Sequence, residues 1–320
     1  MTCNVLITAP YLQPHMNRFL PALQKRDIHC VVPSVQERME ESELLELIAE
    51  IDGVICGDDR FTRLVLQKAK RLKVISKWGT GIDSIDQDAC RDFGISLCNT
   101  PNAFSEPVAD SVFAYMLCFA RRTPWMHEAM RNGVWEKIPG FALGEATLGI
   151  IGMGNVGKAV LRRANGFDMR VVANDIAPMD KNFLDRTGVG MVSLDKLLSE
   201  ADFISVNCDL NSTSHHLLTT PQFARMKENA VVINTARGPI IDEPALVSAL
   251  REKQIAGACM DVFEDEPLPA TSPLRTMTNV LLAPHNANSS PKAWENVHHN
   301  TLNNLFLKLG MPALEAGEIR

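Results

Sequence analysis

Leu148-Gly149-Ile150-Ile151-Gly152-Met153-Gly154-Asn155-Val156-Gly157 is the stretch on which the reading of this chain turns. An apolar run of strand length leads into G-x-G-x-x-G, and a helical pattern from Lys158 to Asn165 follows. That order meets the physical needs of a diphosphate site. The first glycine makes a tight turn, the second lets backbone approach the anion, and the third lets the helix pack against the strand. The anion then lies at a helix N-terminus, where unpaired N–H groups point at it. Gly152, Met153, Gly154, Asn155, Val156 and Gly157 are therefore candidate cofactor-binding residues. Asp175 ends the next apolar run, Arg170–Asn174, eighteen residues past Gly157. An acid at about this distance accepts hydrogen bonds from a ribose and repels a 2′-phosphate. Ile176, Ala177, Pro178, Met179 and Asp180 offer no cation to such a phosphate, so the pattern favours NAD over NADP.

Outward from this stretch, short apolar runs alternate with amphipathic ones, the mark of an α/β chain with parallel sheets. After Gly157 the expected strands are Arg170–Asn174, Phe203–Val206, Val231–Asn234, Gly257–Met260 and Val280–Ala283; with Leu148–Ile151 they make six. Before it, Val5–Thr8, Ile28–Val32, Gly53–Cys56, Lys73–Ser76 and Ile95–Cys98 make a second, smaller set. Ser105–Ala120 reads as a long apolar helix, and another runs from about Pro291 to Leu309. The expected fold class is α/β, with two doubly wound parallel-sheet domains.

Composition excludes several other classes. The chain has 320 residues, 46% hydrophobic and 22% charged, enough for a sizeable core and unlike a disordered chain. Its 32 basic and 38 acidic residues give a net charge of −6, so no global field draws in nucleic acid or an anionic membrane. The longest apolar stretch, Val108 to Ala120, carries Asp110 and is too short to span a bilayer. The N-terminus shows no secretory pattern, and a cytoplasmic location is expected. The eight cysteines are dispersed without a C-x-x-C pair and read as reduced, buried thiols. His215-His216 and His298-His299 lack a third ligand at a recognisable spacing, so no metal site is expected.

Three polar residues share an address. Arg237, Asp261 and His285 each lie just beyond the carboxyl end of an expected strand, where open α/β sheets bind ligands. Each alone has a bland explanation: a surface cation, a capping acid, a satisfied histidine. Glu266 lies in the acidic loop Phe263-Glu264-Asp265-Glu266-Pro267, which by itself reads as a solvated charge run.

The segments Asn234-Thr235-Ala236-Arg237-Gly238, Asp261-Val262-Phe263-Glu264-Asp265-Glu266-Pro267 and Pro284-His285, together with Gly152–Gly157, resemble the D-isomer-specific 2-hydroxyacid dehydrogenases. Gly79-Thr80-Gly81-Ile82-Asp83 and Asn99-Thr100-Pro101-Asn102 resemble the substrate loop and domain linker of that family's phosphoglycerate dehydrogenase branch, here without the C-terminal regulatory domain. The resemblance covers nearly the whole chain.

It implies a flavodoxin-like substrate domain (1–99 with 288–320), a Rossmann NAD-binding domain (100–287) and a cleft between them. It implies that Arg237 binds a 2-keto acid, that His285 exchanges the proton and that Glu266 stabilises the protonated imidazole. Ala236 and Asp261 would join the cofactor-binding residues. Trp78, Gly79, Thr80 and Gly81 would bind substrate, with backbone N–H groups around Thr80-Gly81 taking the carboxylate. The implied activity is NAD-dependent interconversion of a D-2-hydroxy acid and its 2-keto acid by a cytoplasmic homodimer.

Two alternatives stand beside it: D-3-phosphoglycerate dehydrogenase specifically, and a non-catalytic, NAD-sensing, corepressor-like binding protein. Against the first, the family's phosphate-binding cation is expected near Cys56, where Cys56-Gly57-Asp58-Asp59-Arg60 instead offers two acids and an arginine of unknown reach. A second departure is Asn207-Cys208-Asp209-Leu210, where the family often has a proline before the leucine.

Overall fold

The computed structural model describes residues 3–315 and 317–319. The chain divides into two compact units, one built from the residues up to Phe104 together with those from Ser290 onward, the other from Ser105–Ser289.

The first unit holds a five-stranded sheet: β1 (Cys3–Ile7), β2 (Ile28–Val31), β3 (Gly53–Cys56), β4 (Val74–Lys77) and β5 (Ser96–Cys98). Every pairing is parallel, and the order is β2-β1-β3-β4-β5, the flavodoxin-like winding. Central strands β3 and β4 are buried along their whole length, as strands covered on both faces must be. The helix Pro291–Lys308 belongs to this unit and packs on β3 and β4, seating Leu305 and Phe306 in its core.

The second unit holds β6 (Thr147–Ile151), β7 (Arg170–Asn174), β8 (Gly190–Met191), β9 (Phe203–Val206), β10 (Val231–Asn234), β11 (Gly257–Met260) and β12 (Val280–Leu282). Their order is β12-β11-β10-β9-β6-β7-β8, again all parallel. The direction of winding reverses between β6 and β9, which makes their carboxyl ends the switch point where such sheets take ligands. Alternate residues feed two cores: Ile204, Val232 and Ala258 enter one, and Phe203, Val231, Ile233 and Cys259 the other.

Seven strands stand where six are expected. The additional one, Gly190–Met191, is two residues long and pairs with Val172 and Ala173, too short to leave a periodic signal. The long helix runs Ser105–Arg121, and the chain then breaks at Arg122, whose φ is 56°, into a second helix, Thr123–Arg131. Among the described residues no helix is long and apolar enough to cross a membrane. All eight cysteines are free thiols, with Cys56, Cys90 and Cys259 buried.

Candidate active site

The glycine turn after β6 has the shape its sequence requires. Gly152 has φ of 90°, and a Cβ there would lie 2.5 Å from the Cys208 nitrogen. At Gly157 a Cβ would lie 2.1 Å from the Gly152 carbonyl oxygen, whereas at Gly154 it would meet nothing within 4 Å. Two glycines are thus demanded by packing, and the third leaves open space at the start of the helix Asn155–Gly166. That space, bounded by helix N-terminal amides, fits a diphosphate. Asp175 is placed beside it: one carboxylate oxygen accepts the Met153 N–H (2.6 Å), and the other accepts that of Ala177 (2.8 Å). The acid therefore also ties the glycine turn to the end of β7. Ile176 beside it is 80% exposed.

Three loops at the carboxyl ends of β10, β11 and β12 carry the remaining groups of this unit. Buried Asn234 ends β10 and shapes the turn that follows, since its side chain donates to the Arg237 carbonyl and accepts the Ala236 N–H. Arg237 donates to the Ala236 carbonyl at 2.9 Å. Asp261, 1% exposed, follows β11. Its carboxylate accepts the N–H groups of Asn286 and Ala287, both at 2.9 Å, with the Tyr115 hydroxyl at 3.4 Å, while its carbonyl accepts the His285 N–H. This geometry makes it a clamp on the His285 segment. Burial, and then the charge of Asp261, drives the Tyr115 phenol well above its ordinary range.

Glu266 and His285, nineteen residues apart in sequence, meet directly: Oε2 of the glutamate lies 2.9 Å from Nδ1 of the imidazole. The other glutamate oxygen accepts the Phe263 N–H, which fixes the carboxylate's orientation. With Nδ1 turned to Glu266, Nε2 is the ring nitrogen on the opposite side of the imidazole. His285 itself has φ of 50°, a left-handed conformation that histidine adopts more readily than most residues.

In the five-stranded unit, Trp78, Gly79, Thr80 and Gly81 follow β4. Trp78 is 3% exposed, and its indole N–H donates to His298 Nδ1, so the ring is part of this unit's core. Tyr11, Phe104 and Trp294 pack around it. Gly79 has φ of 121°. The Thr80 hydroxyl donates to the Thr100 carbonyl, and Asn99 donates to the Thr80 carbonyl, so the glycine loop is stapled to the segment after β5.

The acidic segment after β3 divides its labour. Asp59 is fully buried and accepts from the Thr8 hydroxyl and from the Met39 and Gly57 N–H groups. Burial lifts its carboxyl above the usual value, and these donors oppose the lift. Asp58 pairs at 3.2 Å with the buried ammonium of Lys77, which also donates to the Trp78 carbonyl. Arg60 turns to Glu40, 3.8 Å away. Lys77 is a buried cation beside Cys56. It lies on the neighbouring strand, and only the β3–β4 pairing of Cys56 with Lys77 reveals it.

The histidine pairs also find protein partners. His216 and His299 contact Glu264 and Glu295, and His298 accepts from Trp78.

Comparison with known proteins gives the family of the chain. The family profile described as "D-isomer specific 2-hydroxyacid dehydrogenase, NAD binding domain" matches residues 113–287. The chain is 36% identical over 283 residues to glyoxylate reductase of Korarchaeum cryptofilum, covering 86% of this chain and 83% of that protein. It is 38% identical over 259 residues to D-3-phosphoglycerate dehydrogenase of Methanocaldococcus jannaschii, covering 80% of this chain and 49% of that protein. The crystal structure of D-lactate dehydrogenase from Aquifex aeolicus, complexed with NAD and lactic acid, superposes with a TM-score of 0.84 at 26% identity, over 93% of this chain and 92% of that one. The chain belongs to the D-isomer-specific 2-hydroxyacid dehydrogenase family, and its seven-stranded unit carries the family's NAD-binding domain.

Proposed function

We propose that this enzyme reduces a short, unphosphorylated 2-keto acid of the glyoxylate or hydroxypyruvate kind to its D-2-hydroxy acid, with NADH favoured over NADPH. The observation that carries the chemistry is the 2.9 Å contact between Glu266 and His285 Nδ1. It holds the imidazole in one orientation and stabilises its protonated form. Reduced nicotinamide supplies the hydride when bound. Negative charge then develops on the carbonyl oxygen of the keto acid, and His285 Nε2 delivers the proton to it. Arg237 offers the substrate a bidentate cation, a better match to a carboxylate than a point charge. The five-stranded unit is proposed as the substrate domain, with backbone of Gly79, Thr80 and Gly81 binding the substrate carboxylate and Trp78 supporting that loop from the core.

The substrate choice rests on the glyoxylate reductase relative and on the Lys77–Asp58 pair, in which the nearest buried cation is already neutralised by a carboxylate. A phosphate would have to displace Asp58, and Arg60 faces Glu40. NADH oxidation should therefore be fastest with glyoxylate or hydroxypyruvate in a panel that includes pyruvate, phenylpyruvate and 3-phosphohydroxypyruvate. Preference for the phosphorylated acid would reassign the substrate. NADH binding without turnover on any of them would favour the corepressor-like alternative. His285→Gln should lower kcat/KM by about 10²–10⁴. A loss below about tenfold would remove His285 as the proton carrier.

The proposal extends to a cytoplasmic homodimer. Met130, Val134, Trp135 and Phe141 are exposed apolar residues on and after the helix Thr123–Arg131, Trp135 at 86%, and free thiols suit a reducing compartment. Light scattering should give twice the chain mass, and Trp135→Glu should return it to the monomer value.

A further inference from the structure

The acidic loop that carries Glu266 is also held by a residue that the proposed reaction leaves unused. His216 lies in the segment between β9 and β10 with φ of 49°, its ring against that of His215 in a tilted contact, 4.1 Å between centroids. Its main-chain N–H donates to the Pro239 carbonyl at 2.8 Å. Its Nε2 lies 2.9 Å from Glu264 Oε1, and the same oxygen accepts the Glu243 N–H at 3.1 Å. Pro239 is two residues past Arg237, and Glu264 is two residues before Glu266. His216 thus grips, through two different groups, the neighbours of both.

Those neighbours are also in direct contact with each other. A Cβ at Gly238 would lie 1.9 Å from the Phe263 carbonyl carbon and oxygen, so the Arg237 turn rests on the backbone of the Glu266 loop. The loop is crowded with acids: Glu264, Asp265 and Glu266 follow one another, and Glu243 faces them. Burial, then Glu264 and Asp265, raises the Glu243 carboxyl above its ordinary value. A donor from outside the loop counters that repulsion. With side-chain exposures of 39% and 30%, the His216–Glu264 pair adds little to global stability. Its consequence lies in where it holds the loop.

We propose that His216 is a positioning residue of this active site: by bonding Glu264 and Pro239 together it sets the spacing between Arg237 and the Glu266–His285 pair. The inference rests on the acid–base reading of Glu266 and His285, and the test separates the two.

His216→Asn keeps a residue at ease with positive φ but is too short to reach Glu264, whereas His216→Gln restores an N–H at about the reach of Nε2. His216→Asn should lower kcat on the best keto acid by on the order of ten- to a hundredfold, the cost of a misplaced reacting group. The NADH dissociation constant should stay within about twofold. Glu264→Ala should reproduce this split from the other side of the contact, and His216→Gln should recover most of kcat. In the Glu266→Gln background, His216→Asn should add no further loss, because both act through one element. Full kcat in His216→Asn or Glu264→Ala beside a slow Glu266→Gln overturns the inference alone, and so does full additivity in the double variant. A Glu266→Gln enzyme as fast as wild type overturns the acid–base reading and the inference with it.

Discussion

The two parallel sheets of this protein carry their candidate loops at the same place, the carboxyl ends of strands, and hold them by different means. In the seven-stranded unit the loops hold one another. Glu266 reaches across to His285, Asp261 takes the N–H groups of Asn286 and Ala287, and Asp175 takes that of Met153. In the five-stranded unit the glycine loop after β4 is stapled to the segment after β5 and continues from residues tied into the core, Trp78 to His298 and Lys77 to Asp58, while buried Asp59 after β3 takes three donors of its own. The first arrangement braces loop against loop, with Asp261 buried between them. The second is anchored also from the core. The difference predicts where each unit breaks, and how.

The largest effect is expected at the tightest backbone contact of the seven-stranded unit. Gly238→Ala would place its Cβ 1.9 Å from main-chain atoms of Phe263, which no side-chain rotation can relieve. It should cost more than about 4 kcal/mol and abolish NADH binding. Wild-type affinity and melting temperature in this variant would mean that the loops are not braced against each other.

Next comes Asp59→Ala in the other unit. It leaves the Met39 and Gly57 N–H groups without this acceptor in the interior and the Thr8 hydroxyl with only the Ile55 carbonyl at 3.4 Å, at a cost on the order of 3 kcal/mol. Chemical denaturation should show this loss, and a change of under about 0.5 kcal/mol would refute anchoring from below.

A comparable effect should appear only in acid. Burial pushes His298 down to about 4, with His15 adding to the depression, Glu295 opposing it, and Arg18 and His299 acting more weakly. Its folded pKa lies below the ordinary 6.5, so the unfolded chain takes up the proton first. The stabilisation is therefore complete above pH 6.5 and is lost as pH falls from there towards 4, by roughly 3 kcal/mol. His298→Asn keeps an acceptor for Trp78 but cannot titrate, and stability measured across this window should lose that slope. Glu295, held at about 2 chiefly by its bond to Arg18, contributes its own loss below the ordinary carboxylate range. An unchanged slope in His298→Asn would shift the acid sensitivity away from the buried imidazole.

The smallest effect is expected at Asp175. Asp175→Ala removes the acceptor for the Met153 N–H and the charge facing a 2′-phosphate. NADH should bind about 10- to 100-fold more weakly while the preference for NADPH rises. A constant ratio of the two affinities would leave Asp175 with only its hold on the glycine turn.

Much of the fold was legible along the chain. Gly53–Cys56, Arg170–Asn174, Phe203–Val206, Val231–Asn234 and Gly257–Met260 form strands over the spans their apolar runs predict. Four of these are buried along their whole length, and a strand buried on both faces can carry little but apolar residues. Gly190–Met191 was illegible because a two-residue pairing needs only a neighbour, not a pattern. Among the functional positions, Gly152 could be read as a turn glycine, and its φ of 90° and contact with Cys208 supply the reason. Asp59 could not be read, for an acid in a polar loop gives no sign that it is wholly buried. His216 could not be read either, since its partners Pro239 and Glu264 lie far along the chain.

What the sequence by itself determined is the order of elements and which residues fall at strand ends. Strand periodicity, glycine sterics and turn chemistry act over a few consecutive residues. What only the tertiary structure decided is which of those ends share hydrogen bonds: that Lys77 stands beside Asp58, that Asp261 clamps Asn286 and Ala287, and that Glu266 meets His285. A hydrogen bond depends on tenths of an ångström and on direction, and between residues distant in sequence those are set by the packing of whole strands and helices.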